Sequence, residues 1–140
     1  MNKVIIRDDG FAEDDFGEFV SLDVLQAGVE SPLAVEIANT IDPMVLVPLF
    51  PWISAIRIPF PSFADGRGFS LARRLRMLGF TGRLRAAGHV ISDQYFHARR
   101  SGFDEVEIDK LLARRQPQAQ WMARTDWDRP TYQDRLRAAV

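Results

Sequence analysis

Apolar positions in this chain come in short runs, and the breaks between them are rich in glycine, proline and aspartate. Residues 3–7 (KVIIR) predict a strand, closed by the turn signal Asp8-Asp9-Gly10. An acidic loop over 11–18 and a strand or extended segment over 19–25 follow, so residues 1–30 predict an N-terminal arm or hairpin. Beyond it, the runs 32–38, 55–60, 83–87 and 103–108 predict four strands. The run 55–60 is apolar except for Arg57, as in a strand buried on both faces. A helical segment is expected after each strand. Asp42 can cap the first with Pro43 at its first position, and Pro48 and Pro51 limit it to short turns. Its Leu46, Leu49, Phe50 and Trp52 are expected against the sheet.

In the second helix Leu71, Leu75 and Leu78 share one stripe, Ser70 can cap it and Gly79 suits a left-handed end. Arg73, nearest its start, can turn back to the preceding loop, whereas Arg74 and Arg76 read as a solvated face. A third helix begins at Ile91 or Ser92 and ends at Ser101-Gly102. A fourth starts at Lys110 and is stopped by Pro117. Residues 117–140, with Trp121, Trp127 and Tyr132, predict a tail that wraps a partner or its own sheet, with a helical turn over 134–139.

This order predicts a single α/β domain over residues 1–140, with its core at 31–116. About four β-α units form a mainly parallel sheet, open and doubly wound or half-barrel-like, behind the N-terminal strand or hairpin arm. A half barrel leaves open edges that a homodimer would cover.

Composition narrows the chemistry. Apolar residues make up 46% of the 140 positions and aromatic residues 11%, enough for a packed core rather than disorder. The chain has no cysteine and two histidines, which removes thiolate metal sites and CxxC redox pairs and argues against a histidine metal centre; no metal is expected. No apolar run has the length of a membrane span, and the start lacks the features of a secretory signal, so a cytoplasmic protein is expected. Residues 1–42 hold ten carboxylates against two basic side chains, and residues 43–140 sixteen basic side chains against nine carboxylates. Sixteen of the eighteen basic residues are arginine, which suits bidentate anion recognition, although genomic base composition explains most of them. Nucleic acid is not expected, because aromatics do not interleave with the charge.

The stretch 60–70, FPSFADGRGFS, joins a predicted strand to a predicted helix. Loops at the carboxyl ends of parallel strands line the crevice where ligands sit. Asp65 and Arg67 are the candidate catalytic residues; Gly66 and Gly68 would let a backbone approach an anion at the helix start, with Arg73 beside them. Arg85, Asp93 and Gln94 form a second anion-binding cluster on the next strand end, with His89 as a surface histidine. The alternative is structural: a tight turn in which Asp65 pairs with Arg67, and Arg85 finds its counter-ion in Asp65 or Asp93. A dinucleotide fingerprint fails, since Gly66-Arg67-Gly68 is followed by Leu71 where glycine or alanine is needed.

Residues 61–76, PSFADGRGFSLARRLR, together with Gly79, Thr81-Gly82, Leu84-Arg85-Ala86, Gly88, Asp93-Gln94 and Arg100-Ser101-Gly102-Phe103-Asp104, resemble bacterial domain-of-unknown-function family 934. The resemblance implies a protein encoded beside assimilatory sulfite reductase, a family described by association as oxidoreductases of sulfite reduction. It implies an oxidoreductase or anion-handling protein with a small anion as ligand and no cofactor specified. The alternative is a non-catalytic accessory or scaffold protein that binds sulfite reductase or its electron donor. Two positions depart from the family pattern: Arg83 and His89 stand where acids are usual.

Overall fold

The computed structural model describes residues 2–126 of the chain. They form one mixed, mostly parallel sheet of seven strands that does not close, in the order β2-β1-β7-β6-β5-β4-β3. Strands β1 (Lys3–Arg7) and β2 (Gly10–Ala12) make a hairpin that turns at Asp8-Asp9 as the turn signal predicts, with Gly10 at φ +134°; its second strand lies at 10–12, partly in the expected acidic loop, rather than at 19–25. The acidic loop then runs to β3 (Val20–Ser21), a two-residue edge strand; residues 22–25, expected to be extended, instead open helix α1 (Leu22–Gln26), which buries Leu25. Strands β4 (Leu33–Glu36), β5 (Ile53–Phe60), β6 (Arg83–Gly88) and β7 (Glu105–Asp109) follow in parallel, and β1 lies antiparallel against β7.

The connections match the residues that build them. Pro43–Trp52 is a 3-10 segment: the Asp42 carboxylate accepts the Met44 N–H at 3.0 Å, and Pro48 and Pro51 deny it α-helical bonding. Leu46 is buried, and Leu49 and Phe50 are partly buried against the core, but Trp52 stays 44% exposed rather than packing on the sheet. Helix α2 (Arg67–Met77) ends as expected at Gly79, φ +101°. Its start differs. Gly66, not Ser70, is the capping position, because the Asp65 carboxylate already accepts the Arg67 N–H at 3.1 Å and draws the helix four residues earlier.

A short 3-10 turn, Ser92–Gln94, leads into α3 (Tyr95–Ser101), which Gly102 terminates in a left-handed conformation. Helix α4 (Lys110–Arg115) is capped by Asp109, and α5 (Gln118–Met122) buries Trp121. The Gln118 side chain accepts the Phe11 N–H, covering a donor on the outer strand β2. The helical turn expected over 134–139, and Trp127 and Tyr132, lie outside the described residues.

The parallel strands β3 to β7 lie side by side in chain order, with no reversal. A doubly wound sheet needs a reversal to place helices on both faces. Here Val35, Ile56, Ile58, Phe60, Leu84, Ala86, Val106 and Ile108 share one core with Leu46, Leu71, Leu75, Tyr95 and Ala98 of the connections. One face of the sheet is thus apolar and carries the helices. The other carries Glu36, Arg57, Arg85, Glu105 and Glu107, so β5 is not the strand with two apolar faces that its composition suggested. Arg76 also departs from its expected solvated role. It bonds the carbonyls of Phe80, Gly82 and Gly102 and the carboxylate of Asp104, bracing two turns from the end of α2.

Candidate functional site

The loop after β5 lies at the carboxyl end of that strand, as its position in the sequence requires. Asp65 is its hub. One carboxylate oxygen accepts the Arg67 N–H, the other accepts the Asn39 amide at 3.0 Å, and Arg67 Nε stands 3.5 Å away. The Arg67 N–H bond, then the Asn39 bond, hold the Asp65 pKa below the ordinary carboxylate value, against the small opposing effect of desolvation. The N-terminus of α2 is therefore already served by an internal carboxylate. Arg67 itself is 67% exposed.

The two glycines of this loop have different jobs. Gly66 has negative φ and space for a side chain. Gly68 is buried, and a Cβ there would lie 2.5 Å from the ring of Phe60, so it is a packing contact between helix and strand. Arg73 is exposed, with no ion pair or hydrogen bond among the described residues. Gln94 accepts the Ile91 N–H and donates to the Phe63 carbonyl at 3.1 Å, tying the Ser92–Gln94 turn to the loop. Asp93 points away to Arg124 at 2.8 Å. His89 packs edge-on against Phe63 and lies 3.2 Å from the Phe60 carbonyl.

Arg85 does not join this group. The register places it in a row across four strands, Glu36, Arg57, Arg85, Glu105, on the face opposite the helices. It has no solvent exposure, and its counter-ions are Glu105 (2.6 Å), Glu107 (3.0 Å) and Asp14 (3.1 Å), not Asp65 or Asp93. Burial opposes its charge, but Glu105 and then Asp14 outweigh that and raise its pKa. Arg57 bridges Glu36 and Glu107, and Arg7 bridges Glu105 and Asp15.

The acidic loop covers this row. Asp15 pairs with Arg7 and Arg83, both at 2.7 Å. Desolvation works against the Asp15 charge, but Arg83 and Arg7 hold its pKa below the usual range. The ring of Phe19 sits 4.4 Å from the Arg57 guanidinium carbon and 5.0 Å from that of Arg85, and Phe16 sits 4.7 Å from that of Arg83. Two clefts border the covered face. One, of about 620 Å³, is lined by Lys3, Val4, Phe11, Glu13, Asp14 and Lys110; the other, of about 500 Å³, by Arg7, Asp8, Asp9, Arg83, Asp104 and Glu105.

Of the expected site residues, Asp65, Gly66, Arg67 and Gly68 share the loop and Gln94 touches it, whereas Arg73, Arg85 and Asp93 do not. Sequence reasoning passed over Arg7, Glu105, Glu107, Asp14, Asp15, Phe16 and Phe19. The available signal was period two: Arg83 and Arg85, then Glu105 and Glu107, alternate with apolar residues on successive strands.

Among the described residues no helix is long and apolar enough to cross a membrane. No curated protein and no solved structure matches the chain. The model of a bacterial protein family of unknown function, DUF934, matches residues 34–139, a span that takes in the Asp65 loop, the arginine row from Glu36 to Glu105 and Gln94. The chain belongs to that family, DUF934.

Proposed function

We propose that this protein is a non-catalytic accessory of assimilatory sulfite reduction that binds sulfite reductase or its electron donor. The pathway comes from the family resemblance. The accessory role is supported by one observation above all: the charged groups best placed to handle a substrate are committed to one another. Asp65 serves Asn39 and the start of α2, and Arg85 is surrounded by Glu105, Glu107 and Asp14. Such pairing suits a scaffold, since a charge already neutralised inside the fold has little left for a reacting group. Co-purification of the tagged protein with the reductase, and reductase turnover with and without it, test this. Absence of association together with unchanged turnover overturns it.

A second reading, an oxidoreductase or anion-handling protein, is favoured by Arg67, whose guanidinium is exposed beside Asp65 at the carboxyl end of β5. Here Asp65 and Arg67 act on the ligand, and Gly66, Gly68 and Gln94 shape the loop. Titration with sulfite, adenylyl sulfates, flavins and NADPH tests it, and no binding at millimolar concentration removes it. Both readings place the protein in the cytoplasm. A homodimer across an open sheet edge is compatible with either, and light scattering at low concentration measures it.

A further inference from the structure

We propose that the face of the sheet opposite the helices is a docking site for an acidic, aromatic-bearing peptide of a partner protein, and that residues 13–19 of this chain are its resident occupant. The proposal names the surface and partner chemistry of the accessory reading and rests on it in taking the ligand to be a protein.

Four arginines, Arg7, Arg57, Arg83 and Arg85, share the face with three glutamates, Glu36, Glu105 and Glu107. Without the covering segment the face has an excess of positive charge. The segment supplies Asp14 and Asp15 to that excess, and lays Phe16 and Phe19 on the guanidinium groups of Arg57, Arg83 and Arg85. Carboxylate and aromatic ring together are what these arginines select, which a small inorganic anion lacks.

The segment is held by side chains. Among the described residues, no backbone hydrogen bond ties 13–19 to the sheet, and the Phe16 N–H bonds only to Asp14 of the same segment. Its fit is also incomplete. Arg85 Nη2 is buried without a hydrogen bond; a carboxylate oxygen of Asp15 stands 3.6 Å away. A better-placed carboxylate would satisfy that donor, and buried donors left open favour whatever closes them. The cleft lined by Glu13 and Asp14 gives an incoming chain room beside the resident one.

The chain itself provides a reporter. It has no cysteine, and a Cβ at Gly17 would meet nothing within 4 Å, so Gly17→Cys labelled with bimane reads the segment alone. The probe is a synthetic peptide with the sequence of residues 11–21, FAEDDFGEFVS. The expected result is a saturable emission change that weakens as salt is raised and is absent for a peptide with both interior phenylalanines (positions 16 and 19) changed to alanine. Weakening the resident with Asp14→Asn and Asp15→Asn should tighten binding of the same peptide, read by anisotropy, about tenfold. No emission change in the labelled protein, an equal change with the alanine peptide, or an equal change with inorganic phosphate or an oligonucleotide overturns the proposal. The labelled single variant decides the matter if the double variant does not fold. No reductase is present, so this result and failure to co-purify the reductase are separate outcomes.

Discussion

Arg85 Nε donates to Glu105 Oε2 at 2.6 Å, between residues directly in register on neighbouring parallel strands, with both side chains out of solvent. A pair of this kind contributes little net stability relative to apolar residues, because both charges have lost their water. Removing one partner is costly, because it strands the other. Arg85→Ala should therefore lower unfolding free energy by about 3–5 kcal/mol. Arg85→Met combined with Glu105→Gln and Glu107→Gln should recover much of that loss. Urea denaturation of the single and combined variants measures the non-additivity. A small effect of Arg85→Ala would show that Glu105 and Glu107 regain water without it.

The two glycines flanking Arg67 should respond oppositely to alanine. At Gly68 the new Cβ meets the Phe60 ring at 2.5 Å, and that ring is itself enclosed by Phe69 and Phe103. Overpacking of this kind costs about 1–3 kcal/mol. At Gly66 the nearest atom is Phe69 Cδ2 at 3.7 Å and φ is −92°, so alanine there should change stability by no more than about 0.5 kcal/mol. Thermal denaturation of both variants makes the comparison.

Acid should loosen the acidic segment before the core. The pKa of Asp15 is depressed in the fold, so its contribution is present in full above the unfolded value, near 3.9, and is lost as pH falls through the lower folded value. With Asp15 46% exposed, solvent screening limits that contribution to about 1 kcal/mol. Unfolding midpoints of the wild type and Asp15→Asn should differ near neutral pH and converge below pH ~4. Parallel curves throughout would mean that the Arg7 and Arg83 contacts carry no weight.

Alkali should act through Tyr95, which is fully buried and donates to Asp8 at 2.5 Å. Burial, then the Asp8 carboxylate, raise its pKa well above the ordinary tyrosine value. The neutral phenol is thus favoured in the fold: its contribution is full below about pH 10 and declines above it, as the unfolded chain ionises first. Tyr95→Phe should cost about 0.5–1.5 kcal/mol at neutral pH, because Asp8 keeps Arg99 as a partner, and should flatten the alkaline decline. Urea titrations at neutral and alkaline pH check both parts.

The elements were legible in the sequence because each has local punctuation: Asp8-Asp9-Gly10, Asp42-Pro43, Gly79, Gly102 and Pro117 all stand where strands or helices begin or stop. The faces were less legible. One arginine among the apolar residues of β5 looks like an exception until Arg85 and Glu105 are set beside it, and they are adjacent only through sheet register. Asp14 reaches Arg85 across seventy-one positions of chain, a separation that no local pattern encodes. The Asp65 loop falls between these cases. Its place at a strand end followed from the order of elements, whereas the choice of Asp65 over Ser70 at the start of α2 depended on how far the helix could extend backward before its N–H groups found an acceptor.

Both lysines of the chain, Lys3 and Lys110, line the same cleft where β1 meets the end of β7. Side-chain amine chemistry therefore has a single address on this molecule. A matrix or fluorophore coupled through lysine grips every copy by the same corner, and two reagents that react with lysine compete for one neighbourhood. An immobilised preparation made in this way is oriented rather than random.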